Sequence, residues 1–220
     1  MIRHLDFALH KRDRIGLVAP NGSGKTTLLH LILGLLKPSE GEVRLFGRSM
    51  RGEKDFVLLR TKIGLLFQDA DDQLFNPTVI EDVAFGPLNT GKTREEALAI
   101  SRDTLHRLGL SGFEDRITHK LSGGEKQMVA MATIVALQPE ALLLDEPTVG
   151  LDEKTHKRLI ALLAELALPC VIISHAFDFL SATTDRILTM ENGRIVLDEE
   201  MRVHIHEHAH KLGSKPHRHV

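Results

Sequence analysis

The sequence predicts an α/β fold, a mainly parallel sheet interrupted by a helical insertion. Three observations carry this. Short apolar runs recur at 14–19 (RIGLVA), 141–144 (ALLL), 170–173 (CVII) and 186–190 (RILTM), the pattern of strands buried on both faces. Helical stretches lie between them, so successive strands are joined by crossovers and run parallel. From about 78 to 137 the periodicity is helical with no strong strand run. The order is therefore α/β, helical insertion, then α/β again.

Composition sets the outer bounds. A chain of 220 residues buries about 70% of its unfolded surface and needs no disulfide or metal staple. Apolar residues at 42% and charged residues at 26% are ordinary for a soluble globular protein. A net charge of −2 argues against a general polyanion binder, so no nucleic-acid partner is expected. Cys170 is the only cysteine, which excludes an intrachain disulfide and suits a reducing compartment. The N-terminus lacks the apolar core of a signal peptide. No apolar run approaches the roughly 18 residues of a membrane span.

Taken in order, Leu5, Phe7 and Leu9 alternate with less apolar neighbours and read as a half-buried strand. Residues 14–19 form a strand that runs into Pro-Asn-Gly-Ser-Gly, a tight loop. Residues 25–36 are apolar helix formers, with Lys37-Pro38 as the predicted stop. Residues 42–46 (EVRLF) and 62–67 (KIGLLF) read as strands. Within the insertion, Thr93-Arg94-Glu95-Glu96 is a capping box for a helix reaching about Leu108, ended by Gly109. Residues 153–166 read as a helix between two of the buried strands. The expected organisation is a core of 1–70 and 140–200, an insertion of about 71–139, and a tail over 201–220.

Several motifs carry chemistry. Ala19-Pro20-Asn21-Gly22-Ser23-Gly24-Lys25-Thr26, followed by Thr27, fits a phosphate-binding loop with Ala in place of the first Gly. Small residues let backbone N–H groups converge on phosphates, and the following helix points its positive end there. Lys25 supplies a charge to the β- and γ-phosphates, and the Thr26 hydroxyl can ligate Mg²⁺. Were a positive φ required at Ala19, that residue would be strained. A plain Gly-rich turn is the alternative, but strand, loop, Gly-Lys-Thr and helix stand in the order a nucleotide requires.

Asp145 and Glu146 end a buried strand, where α/β sheets bind ligands. Asp145 would hold Mg²⁺, and Glu146 would act as general base toward the attacking water. Ser122-Gly123-Gly124-Glu125 again exposes backbone N–H groups at a helix start. One nucleotide does not need two such nests, so each is expected to serve a different nucleotide across a two-fold dimer. A plain N-cap is the alternative. Gln68, at a strand end before an acidic loop, can touch Mg²⁺ or water and report γ-phosphate occupancy; a plain surface Gln is the alternative. His175, also at a strand end, can hydrogen-bond the γ-phosphate and the catalytic water; a satisfied structural His is the alternative, which the spacing from the other motifs disfavours.

Together these motifs resemble the nucleotide-binding subunit of ATP-binding cassette transporters, over about 5–198. The phosphate loop, Gln68, the Leu121-Ser122-Gly123-Gly124-Glu125 signature, Asp145-Glu146-Pro147, Gly150-Leu151-Asp152 and His175 stand in that family's order. Lys25 and Ser122 are 97 residues apart, which leaves no room for the long insertion of chromosome-organising ATPases. The resemblance implies a P-loop NTPase (RecA-like) core with an antiparallel β portion and an inserted helical subdomain. It implies ATP and Mg²⁺ as cofactors and a second cassette as partner, an identical copy by expectation. Each ATP would be sandwiched between one chain's phosphate loop and the other's Ser122–Glu125, with Asp152 helping couple the sites. It also implies integral membrane partners that dock near Gln68 and a peripheral place on the cytoplasmic face of the membrane.

Residues 67–89 (FQDADDQLFNPTVIEDVAFGPLN) are similar to the ATPase subunits of energy-coupling factor importers, especially the cobalt and nickel branch. A soluble cassette for metallocluster assembly, or an importer ATPase with vitamin cargo, is the alternative reading; co-purification with membrane proteins separates them. Two departures stand out. Relatives carry an adenine-stacking aromatic upstream of the loop, whereas this chain has only 24 residues before Lys25 and no Tyr. Phe7 is the nearest upstream aromatic, and its alternation predicts burial. Met128 stands where many relatives have Arg.

The last seventeen residues hold six of the 13 histidines. His204, His206, His208 and His210 alternate with other residues, and His217 and His219 come after them. Such imidazoles can chelate Ni²⁺, Co²⁺ or Zn²⁺. A polar terminus with incidental His is the alternative.

Overall fold

The computed structural model describes residues 2–196. β1 (Arg14–Val18) leads through the phosphate loop into α1 (Lys25–Ile32). β2 (Arg44–Leu45) and β3 (Arg48–Ser49) form a small antiparallel hairpin, and α2 (Glu53–Arg60) returns the chain to β4 (Ile63–Leu66). Three helices come next: α3 (Val79–Asn89), α4 (Arg94–Arg107) and α5 (Gly123–Ala136). The chain then runs β5 (Ala141–Asp145), α6 (Glu153–Leu166), β6 (Cys170–Ile173), α7 (Phe177–Thr183), β7 (Arg186–Glu191) and β8 (Arg194–Val196). The six-stranded sheet has the order β4-β5-β6-β1-β7-β8, parallel except for β8.

The apolar runs explain the layering. Ile15, Leu17, Leu143, Val171 and Ile173 face one side and pack with Leu28, Leu29 and Leu33 beneath α1. Their neighbours Leu142, Leu144 and Ile172 face the other side and pack with Val129, Leu159 and Leu163 of α5 and α6. Successive side chains of a strand point to opposite faces, so a strand covered on both must be apolar throughout. Each of the three helices between β4 and β5 opens with a capping box: Thr78 with Glu81, Thr93 with Glu96, Ser122 with Glu125. α3 packs against α4 and α5, and α5 packs on β4.

Some expected elements differ. Leu5, Phe7 and Leu9 are half-buried against the α1-side core while Asp6, Ala8 and His10 are exposed, so the alternation is real. It is not a strand, because the segment joins no sheet ladder. Helix α1 stops at Ile32, before Lys37-Pro38. Gly34 adopts φ 68°, and a Cβ there would lie 2.3 Å from the Phe56 ring. That left-handed, close-packed position suits only glycine and ends the helix. The strand expected over 42–46 shrinks to two residues, because Phe46 and Gly47 both take positive φ and turn the chain back at once. α2, β3 and β8 have no counterpart in the sequence reading, being too short or too polar to show periodicity.

Candidate nucleotide-hydrolysis site

In the parallel sheet order β4-β5-β6-β1, the segments that leave the C-terminal ends of the strands lie at one edge. Gln68, Asp145-Glu146, Ser174-His175 and the loop 19–26 are thus brought to a common edge from positions far apart in sequence. Ala19 is buried and has no positive φ, so the replacement of glycine there is unstrained. Gly22 and Gly24 carry the left-handed conformations, φ 80° and 107°. Gly24 is the N-cap of α1 and offers no side chain to the first helical amides, leaving them for an anion. Lys25 and Ser23 are buried, Ser23 Oγ without a partner. Pro20, Asn21, Gly22 and Thr26 are exposed, and Thr27 is half-buried. Gly193 N–H donates to Ser23 O at 3.1 Å, and Gly24 packs beside Met190 and Ile2, so the loop rests on the β7–β8 turn.

Asp145 is 5% exposed, and its Oδ1 has no hydrogen-bond partner. Burial pushes its carboxyl above the usual carboxylate range. Lys25 and His175 pull it down and Glu146 pushes it up, so the four groups share one electrostatic environment. An orphaned, desolvated carboxylate beside a phosphate loop fits a divalent cation, which restores its lost solvation. Mg²⁺ bound here would involve Asp145, with the Thr26 hydroxyl and Gln68 as further oxygen donors, and would neutralise phosphate charge.

Glu146 is 6% exposed and takes φ 48°, an uncommon conformation for a residue with a side chain. Such strain clusters at functional sites. Its N–H donates to Ile173 O at 2.8 Å, which ties the strained residue to β6. Its Oε2 accepts from Ser174 Oγ at 3.3 Å and from His175 N–H at 3.4 Å. Its Oε1 lies 3.5 Å from His175 Nε2 but has no hydrogen-bond partner. The His175 side chain is 55% exposed. A base with one free oxygen beside an imidazole open to incoming phosphate can receive a proton from water.

The remaining candidates lie elsewhere. Asp152 caps α6, accepting from Thr155 N–H at 2.7 Å; the Thr155 hydroxyl and then this N–H hold its carboxyl low. Its carboxylate is therefore engaged in capping. Ser122 and Glu125 close a reciprocal cap at the start of α5, at 3.3 and 2.8 Å. The Ser122 N–H bond holds the Glu125 carboxyl low, and Arg116 pairs with it at 2.9 Å. A Cβ on Gly124 would stand 2.5 Å from Gly150 O, so the signature helix touches the segment ahead of Asp152. Among the described residues, no hydrogen bond or ion pair joins Ser122–Glu125 to Lys25, Asp145, Glu146 or His175.

Sequence reasoning missed several groups. Ser174 is a buried hydroxyl at the end of an apolar run; the polar letter after CVII is the only signal. Gln73 donates to Ala130 O at 3.0 Å and Thr133 Oγ1 at 2.9 Å, and it accepts from Phe67 N–H at 3.3 Å. Lys126 pairs with Asp71 at 2.6 Å. Both contacts fasten the segment after Gln68 to the signature helix. Buried Asp82 accepts from the N–H groups of Phe75 and Asn76 and from Thr118, and so shapes that segment. The histidines of the tail, including His204, His206, His208 and His210, lie outside the described residues. Among the described residues no helix is long and apolar enough to cross a membrane, and no cluster of His, Cys, Asp and Glu could hold a metal.

Fold and site together define a P-loop nucleoside triphosphatase of the α/β class. The ABC transporter family model matches residues 2–149, and the chain belongs to that family as an ATPase subunit whose ATP hydrolysis is coupled to transport. An uncharacterized ABC transporter ATP-binding protein of Haemophilus influenzae is 48% identical over 190 residues, covering 86% of this chain and 88% of that one. The energy-coupling factor transporter ATP-binding protein EcfA of Methanocaldococcus jannaschii is 40% identical over 200 residues, covering 89% and 72%. Among solved structures, cbiO1 of Clostridium perfringens, part of the ABC transporter complex cbiONQ, superposes with a TM-score of 0.78 at 33% identity, covering 89% of this chain and 80% of that one. The dimeric cassette MJ0796 gives 0.81 at 27% identity, covering 88% of each chain.

Proposed function

We propose that this chain powers an energy-coupling factor importer for cobalt or nickel ions as one of two head-to-tail ATPase subunits. The observation that carries the dimer is the separation of two phosphate-binding nests in one chain. The loop 19–26 has its hydrolytic groups beside it, whereas the nest at Ser122–Glu125 is unattached to them. Each nest is completed by the other chain's nucleotide, so ATP binds the two subunits together and its loss releases them. The similarity to EcfA supports the energy-coupling factor class, and residues 67–89 with the histidine-rich sequence after 203 support the metal cargo. In this reading residues 1–70 and 140–200 form the nucleotide core and about 71–139 the arm that meets the membrane subunits. The protein then sits on the cytoplasmic face of the membrane.

Within each site, backbone amides of 20–27 and the Lys25 ammonium bind and orient the triphosphate. Glu146 Oε1 takes the proton of the attacking water, and His175 holds the γ-phosphate. Gln68 senses whether that phosphate is present. Asp145, Thr26 and Gln68 hold Mg²⁺, which supplies charge neutralisation. Glu146→Gln keeps the shape and removes the base. Hydrolysis should fall by about 10²–10⁴, while ATP and Mg²⁺ convert the variant from monomer to dimer in size-exclusion light scattering. A variant that remains monomeric in saturating ATP rules out the sandwich. Cells carrying the ATPase with its co-purifying membrane subunits should take up cobalt or nickel, and Glu146→Gln should abolish that uptake.

A further inference from the structure

Ser174 belongs to none of the sequence motifs, yet it is fully buried directly after β6. A buried hydroxyl requires partners. Ser174 Oγ accepts from Ala176 N–H at 3.1 Å, and that bond leaves its own proton free to donate. The acceptor is Glu146 Oε2 at 3.3 Å. His175 N–H approaches the same oxygen at 3.4 Å. The carboxylate is thus asymmetric: Oε2 has two donors, whereas Oε1 is buried without any and lies 3.5 Å from His175 Nε2. Ser174 is itself fixed from the other side, since its N–H donates to Leu17 O of β1 at 3.3 Å. β1 runs directly into the phosphate loop. A short relay therefore connects the strand that leads into the phosphate loop to the Glu146 carboxylate.

We propose that Ser174 is a positioning residue for ATP hydrolysis, anchoring Glu146 Oε2 so that Oε1 keeps its lone pairs for the attacking water. The inference rests on the reading of Glu146 as general base. In the step it serves, one water proton passes to Oε1 and the water oxygen bonds to the γ-phosphorus. The bond from that phosphorus to the β–γ bridging oxygen breaks, and ADP leaves with the oxygen. Without the Ser174 hydroxyl, the strained Glu146 keeps its place in the chain but its carboxylate can rotate about its terminal torsion. Such misplacement of a reacting group lowers turnover and leaves nucleotide binding intact.

The test uses the full chain. Steady-state ATPase activity, nucleotide affinity and thermal melting are measured for wild type, Ser174→Ala, Ser174→Thr and Glu146→Gln. Ser174→Ala should lower kcat by about 10- to 100-fold with KM for ATP within about twofold, and its melting should show a cooperative transition as in wild type. Ser174→Thr, which restores the hydroxyl, should recover most of the lost kcat. The proposal is overturned if Ser174→Ala keeps wild-type kcat while Glu146→Gln is inactive. It is equally overturned if kcat and ATP affinity fall together with melting and threonine restores neither. Glu146→Gln that still hydrolyses ATP removes the base assignment itself, an outcome separate from either of these.

Discussion

Asp145 sits in a conflict that only a ligand resolves. Its carboxyl is raised chiefly by burial, so the folded state binds the proton more tightly than the unfolded chain does. Linkage sets the sign. As pH rises from the ordinary value of 3.8 through the raised folded value, ionisation in the folded state becomes a growing cost. Above that window the cost is constant. Asp145→Asn removes it, so the nucleotide-free variant should be more stable than wild type by about 0.5–2 kcal/mol at pH 7–8. The advantage should shrink as pH falls through that window and vanish below about pH 3, where wild type is mostly protonated in both states. Melting scans across pH in the absence of nucleotide check this, and an unchanged difference between about pH 3 and 8 contradicts it. The same substitution should weaken the added stabilisation given by ATP with Mg²⁺. The place of Asp145 at the end of a buried strand was legible in the sequence because the apolar run Ala141–Leu144 leads straight into it. The positive φ of Glu146 and the hydroxyl beneath it were not, because both depend on β6 lying against β5. Ala19 shows the converse. Its departure from the loop pattern looks costly in sequence, yet the left-handed conformations fall on Gly22 and Gly24.

Helices reveal how far periodicity reaches. α6 coincides with its predicted span of 153–166, because Asp152 caps its start and its apolar residues keep the helical repeat. Its end is less favourable. Ala167 closes it in the left-handed region at φ 47°, with an exposed side chain. Left-handed backbone costs a residue with a Cβ about 1–2 kcal/mol, whereas alanine-to-glycine loosens the unfolded chain by about 0.4–1 kcal/mol. The first effect wins, and no packing is lost. Ala167→Gly should therefore stabilise the protein by about 0.5–1 kcal/mol, raising the melting midpoint by roughly 1–4 °C for a chain of this size. A lowered midpoint refutes that balance. α1 and the N-terminal segment mark the limit of such reading. Gly34 ends α1 because Phe56 occupies the space of its side chain, a contact between residues that no local pattern records. Leu5, Phe7 and Leu9 carry a strand's alternation, but pairing requires a free sheet edge, and β1 already lies between β6 and β7.

At the scale of the whole molecule, the parallel sheet gathers the phosphate loop, Gln68, Glu146 and His175 at one edge, while other surfaces of the chain stay exposed. The strand alternation was readable; the neighbour order β4-β5-β6-β1, which sets Gln68, Glu146 and His175 side by side, was not, because near-identical apolar runs can pair in several ways. One exposed surface lies beside the segment after Gln68. Phe75 is 65% exposed and meets Phe85, itself 45% exposed, edge to face at 4.7 Å. Asp82 holds this arrangement by accepting from Phe75 N–H at 3.1 Å, so the backbone beneath the aromatic pair is built rather than loose. Exposed aromatics contribute little to folding, and their grouping marks a contact surface. In the proposed importer this surface would meet a helix of a membrane subunit, and Gln73 and the Lys126–Asp71 pair would tie it to the signature helix. Phe75→Ser should therefore change melting by less than about 0.5 kcal/mol, as expected for a surface substitution. Basal ATPase activity and ATP-dependent dimerisation of the Glu146→Gln background should persist. The yield of membrane subunits recovered with the tagged ATPase from detergent extracts should fall by about tenfold or more, since aromatic anchors dominate small interfaces. Undiminished recovery, with transport still coupled to hydrolysis, would place the docking surface elsewhere on the chain and leave the nucleotide chemistry intact.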